Sequence, residues 1–162
     1  MGQSLRLEIH CQRQQLTLFK GDQPWLQFPV STALNGVGEQ QNSGCTPRGR
    51  HRIRACIGAD QPRGAVFRGR RPTGEVYDAA LAARFPERDW ILTRILWLCG
   101  EEPGVNRLGR VDSQRRFIYI HGTPDTEPMG VPLSHGCVRM SNDDILQLFV
   151  LVAPGTPVLI KG

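Results

Sequence analysis

No stretch of this 162-residue chain approaches the ~20 consecutive apolar residues that a membrane-crossing helix needs. The longest apolar run, Ile145 to Ala153, is broken by Gln147 and stops at Pro154-Gly155. No Cys-x-x-Cys spacing occurs, which removes the zinc-ribbon and thioredoxin-type readings. Lysine is scarce: of 20 basic residues only Lys20 and Lys161 are lysine, and the rest are arginine. No internal repeat and no linker divides the chain, so residues 1–162 are expected to form a single domain. The opening residues, Met1-Gly2-Gln3-Ser4-Leu5-Arg6, lack the basic-then-apolar layout of a secretion leader. The expected location is therefore cytoplasmic, with the periplasm as the alternative if a leader has been removed.

What is present is turn-rich. Eighteen glycines and twelve prolines accompany a hydrophobic content of 40%, which favours short strands over long helices. Leu5, Leu7 and Ile9 alternate with Arg6, Glu8 and His10, the pattern of a half-buried strand, and Leu16 to Phe19 follows as its hairpin partner. Asn35 to Arg50 reads as a loop and His51 to Cys56 as a strand, while Gly58 to Gly74 shows no clear period. Asp78 to Phe85 fits a short helix halted before Pro86. The β-branched and aromatic content of Trp90 to Leu98 indicates a buried strand. Arg116 to His121 should be another, with Phe117, Tyr119 and His121 on one face. Ser141 and Asp144 make an acidic capping box for a helix to about Val152, with Ile145, Leu148, Phe149 and Val152 as its buried stripe. The fold class is mainly β: a twisted sandwich or open barrel with one or two short helices.

Chemistry concentrates in Ser134-His135-Gly136-Cys137-Val138-Arg139, where Cys137 stands sixteen residues after His121. A thiol is a weak nucleophile near neutral pH, and an imidazole that removes its proton makes it a strong one. His121, before Gly122-Thr123-Pro124, suits a general base. Gly136 permits a tight turn and close approach of an acyl group. The amides of His135, Gly136 and Cys137 could then converge on the oxygen of an attacked carbonyl. The Gly122 carbonyl is placed to orient the other nitrogen of His121, as a third triad member does. Tyr119, Ser134 and Arg139 are candidate substrate contacts. Ser134 also reads as a turn former, and Arg139 either binds a carboxylate or pins the helix start. A zinc site at His121, His135 and Cys137 would make the thiolate a ligand rather than a nucleophile, and the spacing matches no zinc pattern, so neither metal nor cofactor is expected.

These residues resemble the signature of the L,D-transpeptidase catalytic domain, the YkuD-like family. The likeness extends to Leu5–Phe19, to Phe28-Pro29-Val30-Ser31-Thr32, to Thr46-Pro47-Arg48-Gly49-Arg50-His51-Arg52-Ile53, to Ser141-Asn142-Asp143-Asp144 and to Pro154–Ile160. Arg139 stands where many members carry asparagine. The resemblance implies that Cys137 attacks the bond between a diamino acid and D-alanine in peptidoglycan stem tetrapeptides, forming a thioester. An amine acceptor would make the enzyme a transpeptidase. Water would make it an L,D-carboxypeptidase, suited in the cytosol to murein recycling. Carbapenems are expected to acylate Cys137.

The remaining features have plainer readings. The odd count of five cysteines leaves at least one thiol unpaired, and Cys11, Cys45, Cys56 and Cys99 are expected to be small core hydrophobes. His10 and His51 read as structural. The net charge of +5 and the run Arg63 to Arg71 raise a non-enzymatic alternative, a basic module for an anionic polymer. That run is expected instead to be a solvated loop, with some arginines steering an anionic peptide, and neither nucleic acid nor membrane is an expected partner. The span from Gly58 to Arg110 is the candidate lid.

Overall fold

The computed structural model describes residues 4–162, so the reading of Met1-Gly2-Gln3 lies outside it. In chain order the elements are β1 (Leu5–His10), β2 (Gln15–Lys20), β3 (Gln23–Pro29), β4 (Gly49–Ile57), β5 (Ala65–Arg68), β6 (Arg71–Val76), α1 (Ala79–Arg84), β7 (Ile91–Gly100), a 3-10 turn (Gly109–Val111), β8 (Tyr119–Gly122), β9 (Val138–Met140), α2 (Asn142–Phe149) and β10 (Pro157–Lys161). All ten strands belong to one open sheet ordered β3-β2-β1-β10-β4-β7-β5-β6, and β8 branches from β7 and pairs with β9. Most neighbours are antiparallel; β1–β10 and β8–β9 are parallel.

Alternation along the strands divides the apolar residues between two cores. Leu7, Ile9, Leu16, Leu18, Ile53, Leu96, Leu98, Ile120, Ile145 and Leu148 are buried together in the larger. α2 covers β7 and β8 from this side. Ser141 caps it, its hydroxyl accepting from the Asp144 amide at 3.2 Å. Ala65, Phe67, Ile95 and Tyr119 form the smaller core, against which Trp97 and Cys137 pack.

Several expectations need correction. The strand expected at Arg116 starts only at Tyr119, because Phe117 takes a left-handed φ of 57° in the turn ahead of it. Phe117 is therefore half exposed and off the strand. α2 ends at Phe149, three residues short of Val152, which still packs against the larger core. The aperiodic Gly58–Gly74 region contains β5 and the start of β6. The run Arg63–Arg71 is thus mostly hairpin rather than solvated loop, and Arg63 is ion-paired with Asp125 and Asp143. The span Gly58–Arg110 is not one lid, since β7 lies at the centre of the sheet within it. From this span the β5–β6 turn, with Gly69 and Arg70, lines the cleft that holds Cys137, as do Asp89 and Ile91. Of the four other cysteines, Cys99 is buried and Cys11 and Cys56 pack half-buried against the larger core, as expected, while Cys45 is half-buried in a loop.

His51 is structural, as its place on a strand suggested. Its Nδ1 donates to the Gly49 carbonyl at 3.0 Å and its Nε2 lies 2.7 Å from the Ser113 hydroxyl. Burial lowers its pKa from 6.5 to about 4, with the Gly49 bond opposing the shift. The unfolded chain takes the proton first. The stability carried by neutral His51 is therefore complete above pH 6.5 and lost as pH falls toward 4, in all about 3 kcal/mol.

Two measurements check these points. Ile145→Ala, at a site of 0% exposure, should lower the unfolding free energy by about 2–5 kcal/mol in urea titrations, whereas Val150→Ala, on the solvent side, should change it by less than about 0.5 kcal/mol. His51→Asn should flatten the fall in stability between pH 6.5 and 4; an unaltered slope would contradict the assignment.

Candidate active site

Strand geometry decides which side chains meet. In β7 and β8, Leu96, Leu98 and Ile120 face the larger core, while Ile95 and Tyr119 face the smaller one. Two residues beyond Tyr119 on the same face comes His121, which is 2% exposed. Opposite it the β7 ladder is irregular between Leu92 and Ile95. Thr93 there has φ 75°, an outlier for a β-branched residue.

The His121 Nδ1 lies 2.6 Å from the Gly122 carbonyl oxygen. A carbonyl can only accept, so Nδ1 carries the proton and Nε2 keeps a free lone pair. Burial lowers the His121 pKa, against the Gly122 hydrogen bond, and the ring is neutral near pH 7. Gly122 has a steric reason to be glycine, since a Cβ there would come within 2.6 Å of the Leu92 carbonyl and 2.5 Å of Asn142 Oδ1. Asn142 is in turn fixed. Its Oδ1 accepts from the Thr93 hydroxyl at 2.5 Å, and its Nδ2 donates to Asp125 at 3.1 Å.

The cysteine loop is held from three directions. Ser31 exchanges two backbone hydrogen bonds with Arg139, and the Thr32 carbonyl accepts from the Ser134 amide. The Thr46 hydroxyl donates to the Gly136 carbonyl at 2.9 Å. Ser134 is 2% exposed, donates its hydroxyl to the Cys137 carbonyl and accepts from the Gly136 amide at 3.2 Å. Its hydroxyl thus shapes the loop. Gly136 sits at φ 133°, where a Cβ would press to 3.3 Å from the Cys45 carbonyl. Because the Gly136 amide is occupied, it is not available to an oxyanion as expected. Among the described residues the His135 and Cys137 amides have no hydrogen-bond partner.

The Cys137 thiol donates to the Phe117 carbonyl at 3.3 Å and accepts from the Tyr119 amide at 3.3 Å. Desolvation pushes its pKa up to about 12, opposed by the Tyr119 amide and, less strongly, by Arg139 and Arg116. At rest the site therefore holds a neutral thiol and a neutral imidazole. Both line one cleft of about 490 Å³, together with Tyr119, Ser134, His135 and Arg139. Past Phe117 and His135 lies a second hollow of about 420 Å³, bordered by Gln41, Asn42, Arg115 and Arg116.

Every residue singled out from the sequence reaches this region, with altered contacts for some. Arg139, 8% exposed, lines the cleft with its Nη2 3.2 Å from Asp89. His135 Nδ1 lies 3.5 Å from the other oxygen of Asp89. The sequence reading missed Asp89, Arg70, Phe117 and the Thr93–Asn142 pair. The Gly69-Arg70 dipeptide just after the apolar Ala65-Val66-Phe67 is a turn signal that could have exposed Arg70. Nothing local marks Asp89. Among the described residues no group of three or more His, Cys, Asp or Glu side chains is arranged to hold a metal ion, and no helix is long and apolar enough to cross a membrane.

Comparison with known proteins bears on this cleft. The family model of the L,D-transpeptidase catalytic domain, YkuD, matches residues 5–160. YqjB of Bacillus subtilis, described as an L,D-transpeptidase, is 47% identical over 45 residues, which are 28% of this chain and 26% of YqjB. YbiS of Escherichia coli, described likewise, is 49% identical over 43 residues, 26% of this chain and 14% of YbiS. Among solved structures, an L,D-transpeptidase from Xylanimonas cellulosilytica superposes with a TM-score of 0.62 at 19% identity, covering 99% of this chain and 62% of that one. An L,D-transpeptidase in complex with imipenem gives a TM-score of 0.56 at 16% identity, covering 99% of this chain and 60% of that one. These structures share the fold, and the chain spans about three fifths of their length.

The elevated thiol pKa has a direct readout. Alkylation of Cys137 by a small neutral reagent, followed by intact mass, should be slow near neutral pH and climb without a plateau up to about pH 9. A plateau near pH 7 would reveal a standing thiolate–imidazolium pair and contradict the neutral resting state.

Proposed function

We propose, since the chain belongs to the YkuD family of L,D-transpeptidase catalytic domains, that Cys137 is the nucleophile of a two-step acyl transfer on peptidoglycan stem peptides. The observation that carries this reading is the shared cleft, lined both by a thiol on a glycine turn and by an imidazole whose Nε2 is left free by the Gly122 bond. In the first step the thiol turns from the Phe117 carbonyl and attacks the carbonyl carbon of the diamino acid. Its proton passes to His121 Nε2 as the S–C bond forms. The free amides of His135 and Cys137 are the donors for the oxyanion. Collapse breaks the C–N bond, Nε2–H gives its proton to the departing D-alanine amine, and a thioester remains.

A coupled transfer suits the electrostatics. With the thiol pushed up to about 12 and the imidazole pulled down, charge separation before attack is unfavourable. The proton therefore moves as the substrate carbonyl takes up the negative charge. In the second step the thioester acyl group passes to an amine of another peptide, giving transpeptidation, or to water, giving L,D-carboxypeptidase activity. The hollow bordered by Phe117 and His135 is the candidate seat for the acceptor. The imipenem complex of the structural neighbour supports the expectation that carbapenems acylate Cys137.

Mass spectrometry of the protein with a diaminopimelate-containing tetrapeptide tests the proposal. Wild type should release D-alanine and yield tripeptide, cross-linked dimer or exchanged peptide, and Cys137→Ser should reduce product by at least about 10³-fold. Tripeptide alone identifies water as acceptor. Neither product nor covalent adduct from the wild type would overturn the assignment.

A further inference from the structure

Arg70 has no part in the steps above, yet it lines the same cleft as Cys137. Gly69 and Arg70 are the two-residue turn between β5 and β6, with φ of 56° and 64° and Arg68 paired to Arg71. Such a turn needs left-handed backbone at both places, and glycine or asparagine adopts it at less cost than arginine. The side chain gives arginine a reason to be there. Its Cζ lies 4.6 Å from the Trp97 ring centroid and 4.8 Å from that of Phe117. Its Nη1 donates to the Tyr119 hydroxyl at 3.0 Å. The rest of its five N–H donors have no protein partner among the described residues. Asp89, the acid lining the cleft, is engaged by Arg139 and His135 instead. A guanidinium already ordered by two rings and a phenol, and free of any counter-ion, is prepared for an anion at little further entropic cost. It is also close to the chemistry, because the Tyr119 that orders Arg70 sends its own amide to the Cys137 sulfur.

We propose that Arg70 is the carboxylate-binding residue of the donor-peptide site, its fork receiving a carboxylate of the peptide that acylates Cys137. This rests on reading the cleft as an acyl-transfer site. The carboxylate belongs either to the departing C-terminal residue or to the side chain of the diamino acid, and both offer the same two oxygens to the fork. Arg70 is thereby a specificity determinant.

The experiment measures peptide binding to Cys137→Ala by calorimetry, so that it is independent of turnover. Three tetrapeptides are compared: one with both carboxylates free, one with a C-terminal amide, and one with a side-chain amide. One of the two amides should bind roughly 10- to 100-fold more weakly than the free acid, and which one does so identifies the carboxylate. Arg70→Ala in the same background should erase that difference, and Arg70→Lys should retain part of it. Equal binding of all three peptides to Cys137→Ala, or no measurable binding of the free acid, overturns the proposal without recourse to an Arg70 variant. An Arg70→Ala loss equal for acid and amides also overturns it, leaving Arg70 as a hairpin anchor. Acid-selective binding that depends on Arg70, without product from the wild type, would sustain the carboxylate site while removing the catalytic reading.

Discussion

The parallel register between β8 and β9, with Ile120 opposite Val138 and His121 opposite Arg139, is the constraint on which the site depends. β8 is only four residues long and its faces are chemically opposite. Ile120 belongs to the larger core, while Tyr119 and His121 belong to the cleft. A slip of one residue would turn the imidazole into hydrocarbon and an isoleucine into the site. Nothing in so short a strand can hold its register alone. β7 holds it from one side and β9 from the other, and Ser31 pairs in turn with Arg139 to anchor β9. Gly122 completes the arrangement by letting the Leu92 carbonyl and Asn142 come close to the strand end.

Burial sets the electrical character of the cleft. It opposes charge on both partners, raising the thiol and lowering the imidazole, so each is held in its neutral form near pH 7. Charge is confined to groups around them: Arg139 against Asp89, and Arg70 against aromatic faces. A site of this kind has little nucleophilic reactivity toward whatever diffuses by. Under the proposed acyl transfer, that reactivity arises only when a carbonyl is seated where the loop amides can take up its charge.

Much of this was legible in the sequence because it is written in local pattern. The alternation of Leu5–Ile9, the capping pair Ser141 and Asp144, and the glycine turn before Cys137 each encode their conformation within a few residues. The family likeness extended that reading across the sheet. Failures came where local pattern and backbone part company. Phe117 sits in phase with Tyr119 and His121, but its left-handed φ takes it off the strand. Ser134, by contrast, reads most simply as a turn former, and its hydroxyl does hold the loop through Gly136 and Cys137. Asp89 and Arg139 are fifty positions apart, and no periodicity announces an ion pair across that span. Thr93 is legible to no pattern rule, since its unfavourable backbone is imposed by the bulge opposite Gly122.

The place of β10 has a further consequence for how the molecule comes into being. Although it is the last strand in sequence, it lies between β1 and β4, and only through it do the β1–β2–β3 hairpins join the rest of the sheet. On the ribosome, the early hairpins must wait with an open edge until residues 157–161 emerge to fill the gap. For that interval Leu7, Ile9 and the strands around them present an unpaired edge to wrong neighbours, the exposure that makes such a sheet prone to mispairing while it forms.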